Sequence, residues 1–514
     1  MFTEGHVQGG LFEVGEFYPS PLHKERIDRY KRNSKLFKGE QQEVFEKHAP
    51  QLQGRYRDTL YVSANLAGII CKKSADFLFG ESAAFSAGKE DGSPEQEALE
   101  RFAEENGISI TNYESALSNA YKGDSFYKVR WGQEYGGMLP ASVDKFRVII
   151  ENQNPEYVFP ETVQGNADKV LCYHVAYPVQ VAASSHDDWL LNVESHYPGR
   201  VEFRKFRIDP IVTNKHGIVE QFVIKEELAT ERKTQNTGVP FPLIVHVPNY
   251  STADSWEGID DLSEHYTLLS EINNRISLIA DILDKHSNPA IAVPVGTLEE
   301  DENGVPTFRV GVDKVFEVMG KEDVIPQYIT WNGELQSAFQ ELDKLIELLL
   351  TMAEIPTVAL GKGDSGTSGA SGLSIKWRMN SLLAKVNRKR QYYDKGLKRV
   401  LLIAQLLEQF VLKDKLGYEV TIPKINFKDG LPNDDMEQVT IMATRLAGMP
   451  TLSQKTAIMK LDGLTEEQAE KEIERMKEEA EAAMLADPSI FNAEAPAAPG
   501  EEPAAKPAEK PKEE

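Results

Sequence analysis

The chain has 514 residues, of which 41% are hydrophobic, so it is long and apolar enough for several domains with real cores. Its formal net charge of −24 argues against a protein that coats nucleic acid by general attraction, because phosphate binding requires Lys and Arg at the contact. The two cysteines, Cys71 and Cys172, lie far apart without metal-ligand spacing, which argues against a disulfide framework and fits a reducing compartment.

The beginning of the chain contains no targeting or membrane signal. Residues 1–18 mix Glu, His and Gly with apolar residues, unlike a signal peptide or a lipidation site. The most apolar early window, residues 60–79, carries Lys72 and Lys73 and falls short of a membrane span. The sequence therefore predicts a protein that is soluble and intracellular at synthesis.

Residues 1–254 are predicted to form an α+β domain with an antiparallel sheet, because helices and strands do not alternate regularly. Ser93 and Pro94 are placed as the N-cap and first residue of one of its helices. The helices are predicted over residues 22–38, 57–79, 94–105 and 112–122. The strands are predicted over residues 126–131, 147–150, 169–177, 201–208 and 218–224.

Two strongly periodic helices with a small insert between them follow this domain. The first apolar run, residues 259–283, ends at Asn288-Pro289, and the second, residues 335–349, is closed by Ile355-Pro356. The insert is predicted to hold short strands over residues 290–295, 307–310 and 314–318, with an acidic turn over residues 298–304 at its tip. It is too small for an independent enzyme domain and is expected to be a lobe carried on two helices.

A glycine-rich stretch and a very long helix come next. The stretch GKGDSGTSGASG, residues 361–372, cannot build a core and is predicted to be a mobile loop. Helical spacing resumes at Leu382, and no Pro interrupts residues 373–413, which as a helix would be about 60 Å long.

The long helix is locally basic. Residues 372–400 carry nine Lys and Arg against Asp394 alone, and Lys385, Arg388 and Lys389 share one helical face because they lie three and four residues apart. This face is predicted to bind acidic surface on a neighbouring subunit, or DNA. The alternative is a merely solvated basic face.

The C-terminal part is predicted to be helical and then disordered. A strand over residues 418–427 is expected to close back on the sheet domain. Helices are then predicted from Asp434 to Leu446, over residues 454–459, and from Thr465 to about Leu485. From Asp487 onward Ala, Pro, Glu and Lys dominate, which is typical of a disordered tail.

No motif assembles into an active site, so the chain is predicted not to be an enzyme and to need no metal or cofactor. Gly363-Asp364-Ser365-Gly366 matches the nucleophile tetrapeptide of trypsin-like proteases, but Thr367 follows where those enzymes have Gly. The same stretch lacks the Gly-Lys-Ser/Thr ending of a phosphate-binding loop. The histidines are scattered, without metal-ligand spacing.

The order of these elements resembles the portal, or head-to-tail connector, proteins of tailed bacteriophages, in the branch typical of long-tailed phages of Gram-positive hosts. The resemblance covers about residues 25–485. Its specific parts are HYTLLSEINNRIS (residues 265–277) ahead of Asn288-Pro289, the Ile355-Pro356 break, SGASGL (residues 368–373), Asn433-Asp434, TLSQKT (residues 451–456) and the acidic C-terminal helix.

The resemblance implies a portal fold with wing, stem, clip and crown regions. The implied regions are the N-terminal wing (1–254), a stem helix (255–288), the clip (289–331), a second stem helix (332–355), the tunnel loop (356–371), the long helix with a wing return strand (372–428), the crown (429–486) and the disordered tail (487–514).

The resemblance also implies the function and the partners. Portal proteins form a closed ring, typically of twelve subunits, at one capsid vertex of the virion, and they assemble in the host cytoplasm. The ring conducts double-stranded DNA during packaging and ejection. It contacts the major capsid and scaffolding proteins, docks the terminase large subunit and later binds a head-completion adaptor. No membrane is involved.

Two sets of site residues follow from this anatomy. The channel-facing tunnel loop would include Thr357, Lys362, Gly363, Asp364, Ser365, Gly366, Thr367 and Ser368. The docking tip of the clip would consist of Glu299, Glu300, Asp301 and Glu302. Two alternatives stay open: a ring-forming scaffold protein that does not conduct DNA, and a serine hydrolase that uses Ser365.

Overall fold

The chain divides into two compact units, Met1–Leu431 and Pro432–Glu514. The computed structural model describes residues 11–46, 61–90, 92–140, 142–163, 166–181, 188–214, 217–231, 233–287, 291–292, 299–300, 306–307, 327–328, 335–362, 372–428, 430, 435–447, 450–462 and 466–486. Both helices and antiparallel strands are abundant, which confirms the predicted helix-rich α+β class.

Five helices lie among the described residues of the first unit that precede its two larger sheets. They are α1 (Pro21–Lys38), α2 (Gln41–Phe45), α3 (Leu66–Phe79), α4 (Pro94–Glu105) and α5 (Ile108–Lys122). The predicted bounds of α4 are confirmed, and the Ser93 hydroxyl accepts a hydrogen bond from the Gln96 amide as an N-cap should. The early start predicted for α3 is wrong for residues 61–65, because the Asn65 side chain caps the helix at Gly68.

Two antiparallel sheets follow. The strands described in this part of the chain are β1 (Phe17–Tyr18), β2 (Ala84–Ser86), β3 (Asp124–Gly132), β4 (Arg147–Gln153), β5 (Val158–Val163), β6 (Asn166–Gln180), β7 (Trp189–Tyr197), β8 (Arg200–Thr213), β9 (Val219–Leu228), β10 (Thr234–Asn236) and β11 (Ile244–Pro248). The larger sheet has the order β1-β9-β8-β7-β6-β5, and β10 also pairs with β8. The smaller sheet has the order β11-β3-β4, and β2 belongs to neither. The antiparallel pairing is as predicted.

A helix pair leaves this body and returns to it. The helices are α6 (Tyr266–Ser287) and α7 (Leu335–Met352). Between them the structure describes four short strands: β12 (Ile291–Ala292), β13 (Glu299–Glu300), β14 (Pro306–Thr307) and β15 (Gln327–Tyr328). Strand β12 pairs with β15 and β13 pairs with β14. Glu299 and Glu300 therefore belong to a strand and not to the predicted turn; the strand predicted over residues 314–318 lies outside the described residues.

The predicted long helix is present as α8 (Gly372–Arg378) followed by α9 (Asn380–Leu412). Only Met379 separates them, and helical hydrogen bonding continues across it, because its amide bonds the Ile375 carbonyl and its carbonyl accepts from Leu383, both at 3.0 Å. With 33 residues, α9 is about 50 Å long.

The strand predicted over residues 418–427 is present but shorter. Strand β16 (Lys424–Asn426) pairs with β2 of the N-terminal domain, so the chain closes back on that domain as predicted, although on neither of its two larger sheets. The reason lies in α9, where the Gln405 side chain donates to the Thr421 carbonyl and accepts from its amide, both at 2.9 Å. A side chain thus takes the backbone groups that a sheet partner would otherwise pair.

The main core surrounds α9. Tyr393, Leu397 and Val400 are fully buried, and α9 contacts α3, β3 and β11. The Tyr393 hydroxyl accepts a hydrogen bond from the Asn119 side chain at 2.7 Å, so its polar end is satisfied inside the core. Leu382, Val386, Tyr393 and Leu397 are all buried and form the core-facing stripe of α9.

A second core covers one face of the large sheet, and a half-buried histidine packs against it. The ring of His23 packs edge-on against Phe159, at 5.2 Å between centroids. Burial, Arg26 and His174 together lower the pKa of His23 to about 4. The apolar members of this core are Phe12, Tyr18, Ile27, Phe159, Ala176, Leu191, Val193, Phe206, Ile208, Phe222 and Ile224.

We expect this histidine to make the first unit less stable in acid. An unfolded histidine titrates near pH 6.5, so between about pH 6.5 and 4 the unfolded chain binds more protons than the folded chain. Stability is therefore complete above that window and is lost as pH falls through it, by about 2–3 kcal/mol for His23. Urea unfolding at about pH 7 and pH 4.5 should show a smaller loss for His23→Gln than for the wild type. Equal losses in the two proteins would contradict this expectation.

The described residues of the second unit form three helices: α10 (Asp435–Leu446), α11 (Gln454–Asp462) and α12 (Glu466–Ala486). They confirm the three helices predicted there. The predicted tail, residues 487–514, lies outside the described residues. Among the residues that the structure describes, no helix is both long and apolar enough to cross a bilayer.

Candidate functional site

The candidate site is the junction between the helix pair and the long helix. Here α7 ends and the chain enters α6, and both points lie beside α9. The centre of this junction is Asp261, which is buried just before α6. The Asp261 carboxylate lies 2.5 Å from Nζ of Lys389 and 3.4 Å from Nζ of Lys385. The Asn249 side chain donates a third contact at 3.0 Å. One buried carboxylate is thus shared by two buried ammonium groups.

The electrostatics of this cluster agree with its geometry. Burial alone would favour the neutral acid, but Lys385 and Lys389 outweigh it and hold the pKa of Asp261 well below its usual range. Burial lowers the pKa of Lys389 to about 8 even though Asp261 opposes that shift. Lys389 also donates to the Ser74 hydroxyl on α3. At neutral pH the cluster therefore holds a carboxylate with two cations.

Lys385 and Arg388 also bind the residues at which α7 ends. Nζ of Lys385 donates to the Ala353 carbonyl at 3.1 Å, and Arg388 pairs with the Glu354 carboxylate. Glu354 has a left-handed backbone with φ of 60°, which is uncommon for a residue with a side chain. Two cations of α9 thus stabilise a turn that the local sequence alone would disfavour.

The chain then runs toward the glycine-rich stretch. Ile355 is buried and its amide bonds the Leu350 carbonyl, which closes α7 at the predicted Ile355-Pro356 signal. A 3₁₀ turn, Thr357–Leu360, ends at Gly361 with φ of 73°, and Lys362 is exposed. The other predicted tunnel-loop residues lie outside the described residues: Gly363, Asp364, Ser365, Gly366, Thr367 and Ser368.

Helices α6 and α7 contact each other, and an ion bridge joins them. Arg275 of α6 lies 2.8 Å from Glu271 on its own helix and 3.2 Å from Glu341 of α7. The buried apolar residues of the two helices are Leu269, Ile272, Ile279, Leu349 and Leu350. Of the predicted clip tip, Glu299 and Glu300 lie in β13, and Asp301 and Glu302 lie outside the described residues.

The prediction of one solvent-facing basic surface at Lys385, Arg388 and Lys389 is wrong for two of them. Lys385 is 6% exposed and Lys389 2% exposed, and both make ion pairs within the chain. Lys389 follows Leu382 by seven residues, close to two helical turns, so it lies on the core face and not opposite to it. That spacing was visible in the sequence. Only Arg388 is exposed, and it pairs with Glu354.

A second buried carboxylate holds the segment that leads into α6. Oδ1 of Asp124 accepts from the Gly258 amide at 2.8 Å and contacts Nε2 of His246 at 2.7 Å. The Tyr30 hydroxyl donates to the other oxygen, and burial raises the Tyr30 pKa, which keeps that hydroxyl protonated. This cluster joins α1, β3 and β11 to the chain just before Asp261, and sequence reasoning missed it.

One arrangement in the large sheet has the order of a catalytic triad. Oγ of Ser195 lies 2.8 Å from Nδ1 of His174, whose Nε2 lies 3.1 Å from Glu161. Ser195 and His174 are directly opposed on β7 and β6, so ordinary cross-strand pairing accounts for their contact. Ser195 is 4% exposed and His174 5% exposed, so a substrate cannot reach the hydroxyl. Among the described residues, no group of three His, Cys, Asp or Glu could hold a metal ion.

Comparison with known families identifies the chain. A family model of phage portal proteins matches residues 20–484, which spans the chain from α1 to α12. The protein is therefore a structural protein of bacteriophages, a portal protein of the head–tail connector class that serves in DNA packaging. Within that class, the chain belongs to the family described as phage portal protein, SPP1 Gp6-like. A comparison with curated proteins finds no match.

The predicted resemblance to portal proteins is thereby confirmed. Membership in this family implies a place at the capsid vertex of the virion, and the family is structural and not enzymatic. The narrower branch, that of long-tailed phages of Gram-positive hosts, stays a prediction.

Proposed function

We propose that this chain forms a closed ring at one capsid vertex and conducts double-stranded DNA through it during packaging and ejection. The observation that carries the proposal is the family match over residues 20–484. In a ring of twelve subunits, each copy would use one surface against a different surface of the next, because closed rings are built from heterologous contacts. The ring would assemble in the host cytoplasm with the major capsid and scaffolding proteins.

The helix pair supports a channel wall. Helices α6 and α7, of 22 and 18 residues, are about 33 and 27 Å long, and they would serve as the two stem helices. They are shorter than the predicted stem regions, residues 255–288 and 332–355. The net charge of −24 also supports a conduit, since a wall with few cationic phosphate contacts binds DNA weakly and lets it slide.

The junction at Asp261 supports a defined role for the tunnel loop, residues 356–371. Lys385 binds both Asp261, before α6, and the Ala353 carbonyl, after α7. One lysine of the long helix therefore fixes both points at which the stem joins the body. In the proposed ring, this lysine fixes the position of the residues just before the tunnel loop, and the loop itself faces DNA.

The small lobe between α6 and α7 would be the clip, the docking surface for the terminase large subunit and later for a head-completion adaptor. Its described residues support this through their charge. Glu299 and Glu300 form β13, which pairs with Pro306–Thr307. Both strands lie in the segment of the chain that connects α6 to α7. An acidic sequence in this lobe suits a partner with basic residues at the contact. The wing, residues 1–254 and 372–428, and the crown, residues 429–486, complete the proposed anatomy.

Two measurements test the function together. Negative-stain images of the purified protein should show top views of a ring with a central channel. Deleting residues 363–369 should leave those rings intact and should reduce DNA packaging or retention, because the proposed channel contact is removed while the anchored junction remains.

A truncation after Ala486 is the matched control, because it removes residues outside the family match. Rings and packaging should both survive it, as predicted for a disordered tail. If rings without residues 363–369 package DNA normally, the proposed role of the tunnel loop in packaging is wrong. Rings without a channel would favour the alternative, a scaffold protein that does not conduct DNA.

A further inference from the structure

The loop between β3 and β4 exposes an unusual set of large apolar side chains. The structure describes residues 133–140 and 142–146 of this loop, and Met138 is 84% and Val143 71% exposed. Tyr135, Leu139 and Phe146 of the same loop are exposed as well. Single exposed apolar residues are ordinary on protein surfaces, but several within one short loop mark an interaction site.

The loop is held in shape by a buried carboxylate. Asp144 is 4% exposed, and its two oxygens accept the amides of Glu134 and Tyr135, each at 2.9 Å. Its backbone carbonyl accepts from the Gln133 side chain at 2.8 Å. The apolar side chains therefore stand on a preorganised loop, which reduces the conformational entropy lost on binding.

The base of the loop is fixed to the neighbouring helices. Arg147, the first residue of β4, lies 2.6 Å from the Glu134 carboxylate and donates to the Glu105 carbonyl at 2.7 Å. Glu105 ends α4, so the loop is braced against the helical layer. A braced loop that exposes apolar side chains has the composition of an interface core with a charged rim.

We propose that the 133–146 loop is a docking surface for a second copy of this chain, one side of the contact between neighbours in the ring. The proposal rests on the proposed function. Charge argues for this occupant. Residues 135–143 carry no charged side chain, whereas the whole chain carries −24, so two copies meet with least repulsion where their surface is uncharged.

The same feature disfavours other classes of partner. DNA would require several Lys or Arg at the contact, and the loop carries one, Lys145, outside its uncharged part, residues 135–143. A basic protein would gain more at the acidic surfaces of the chain than at this uncharged part of the loop. A copy of the chain gains from burying apolar area there, and because ring contacts are heterologous, the receiving surface is a different part of the neighbour.

The first experiment introduces charge into the loop of the full chain. Met138→Glu combined with Val143→Glu should lower the fraction of rings at least about tenfold, because carboxylates would be desolvated at every contact. Native mass spectrometry measures rings against single subunits. Circular dichroism and the thermal midpoint should stay close to the wild type, since both side chains are exposed in the subunit. Leu22→Glu is the matched control, an 82% exposed apolar residue outside the loop, and it should assemble normally.

A second measurement tests the docking surface even if the double variant folds poorly. Met138→Cys carrying a thiol-reactive photo-crosslinker should join neighbouring copies within assembled rings, and the two native cysteines are buried. Wild-type-like rings from the double variant, or crosslinks to a capsid protein and none between copies, would overturn the proposal. Wild-type protein that forms no ring at all would instead overturn the proposed function, and the docking surface with it.

Discussion

Replacing Asp261 by Asn is expected to lower the free energy of unfolding of the first unit by about 3–5 kcal/mol. The substitution keeps the size of the side chain but removes the charge that neutralises Lys385 and Lys389. Both lysines are buried, and their Nζ atoms lie 3.4 and 2.5 Å from the carboxylate. Breaking a buried pair from one side is costly because the remaining charges lose their counter-charge in an interior that shields them from water.

Urea unfolding followed by tryptophan fluorescence measures this loss, since all five tryptophans lie in the first unit. Lys344→Ala is the control; it removes an exposed ion pair with Glu347 and should leave the stability close to that of the wild type. Adding Lys389→Met to Asp261→Asn should restore part of the stability, because one unpaired cation is removed. A loss for Asp261→Asn no larger than the control would show that the cluster carries no net interaction.

Gly258→Ala is expected to destabilise the first unit by more than about 3 kcal/mol. A Cβ atom at Gly258 would stand 1.9 Å from the Gly123 carbonyl oxygen, and one at Gly123 would stand 2.4 Å from the Gly258 carbonyl oxygen. Both obstacles are backbone atoms, which cannot rotate away as a side chain would. The backbone segments around Gly123 and Gly258 must therefore move apart. That movement breaks the hydrogen bond from Gly258 to Asp124 and the one from Asn249 to Gly123, both at 2.8 Å.

The same urea unfolding experiment measures this substitution. Gly417→Ala is a suitable control, because no atom lies within 4 Å of a Cβ added there and its backbone is not left-handed. It should change the free energy of unfolding by less than about 1 kcal/mol. A Gly258→Ala protein as stable as Gly417→Ala would mean that the close approach of the two backbones is not required.

The local sequence determined the helices and the class of fold. Ser93-Pro94 is a signal that acts over a few residues, and α4 begins there with the predicted bounds. Apolar spacing likewise placed α7 and α9, because a helix buries one stripe whatever the rest of the chain does. The portal resemblance also came from residues near one another in the chain, such as those around Ile355-Pro356, and the family match confirms it.

Strand partners were decided by the whole molecule. Residues 418–427 have the composition of a strand, yet only Lys424–Asn426 is one, and it pairs with Ala84–Ser86. A strand's partner depends on which other chain segments reach its edge, and here the Gln405 side chain reaches Thr421 first. Alternation along a single segment contains no information about that competition.

The buried charges show most clearly what only the tertiary structure decided. By composition, Lys385 and Lys389 belong to a basic helix surface, and the sequence indicates their charge correctly. Their partner Asp261 lies 128 residues before Lys389, and the tertiary fold brings it to the core face of α9. Helical period and capping are short-range properties that a sequence determines by itself. A charge can be buried only beside a counter-charge, because an unpaired ion in the interior costs too much free energy. That counter-charge comes from a distant part of the sequence, so only the tertiary structure supplies it.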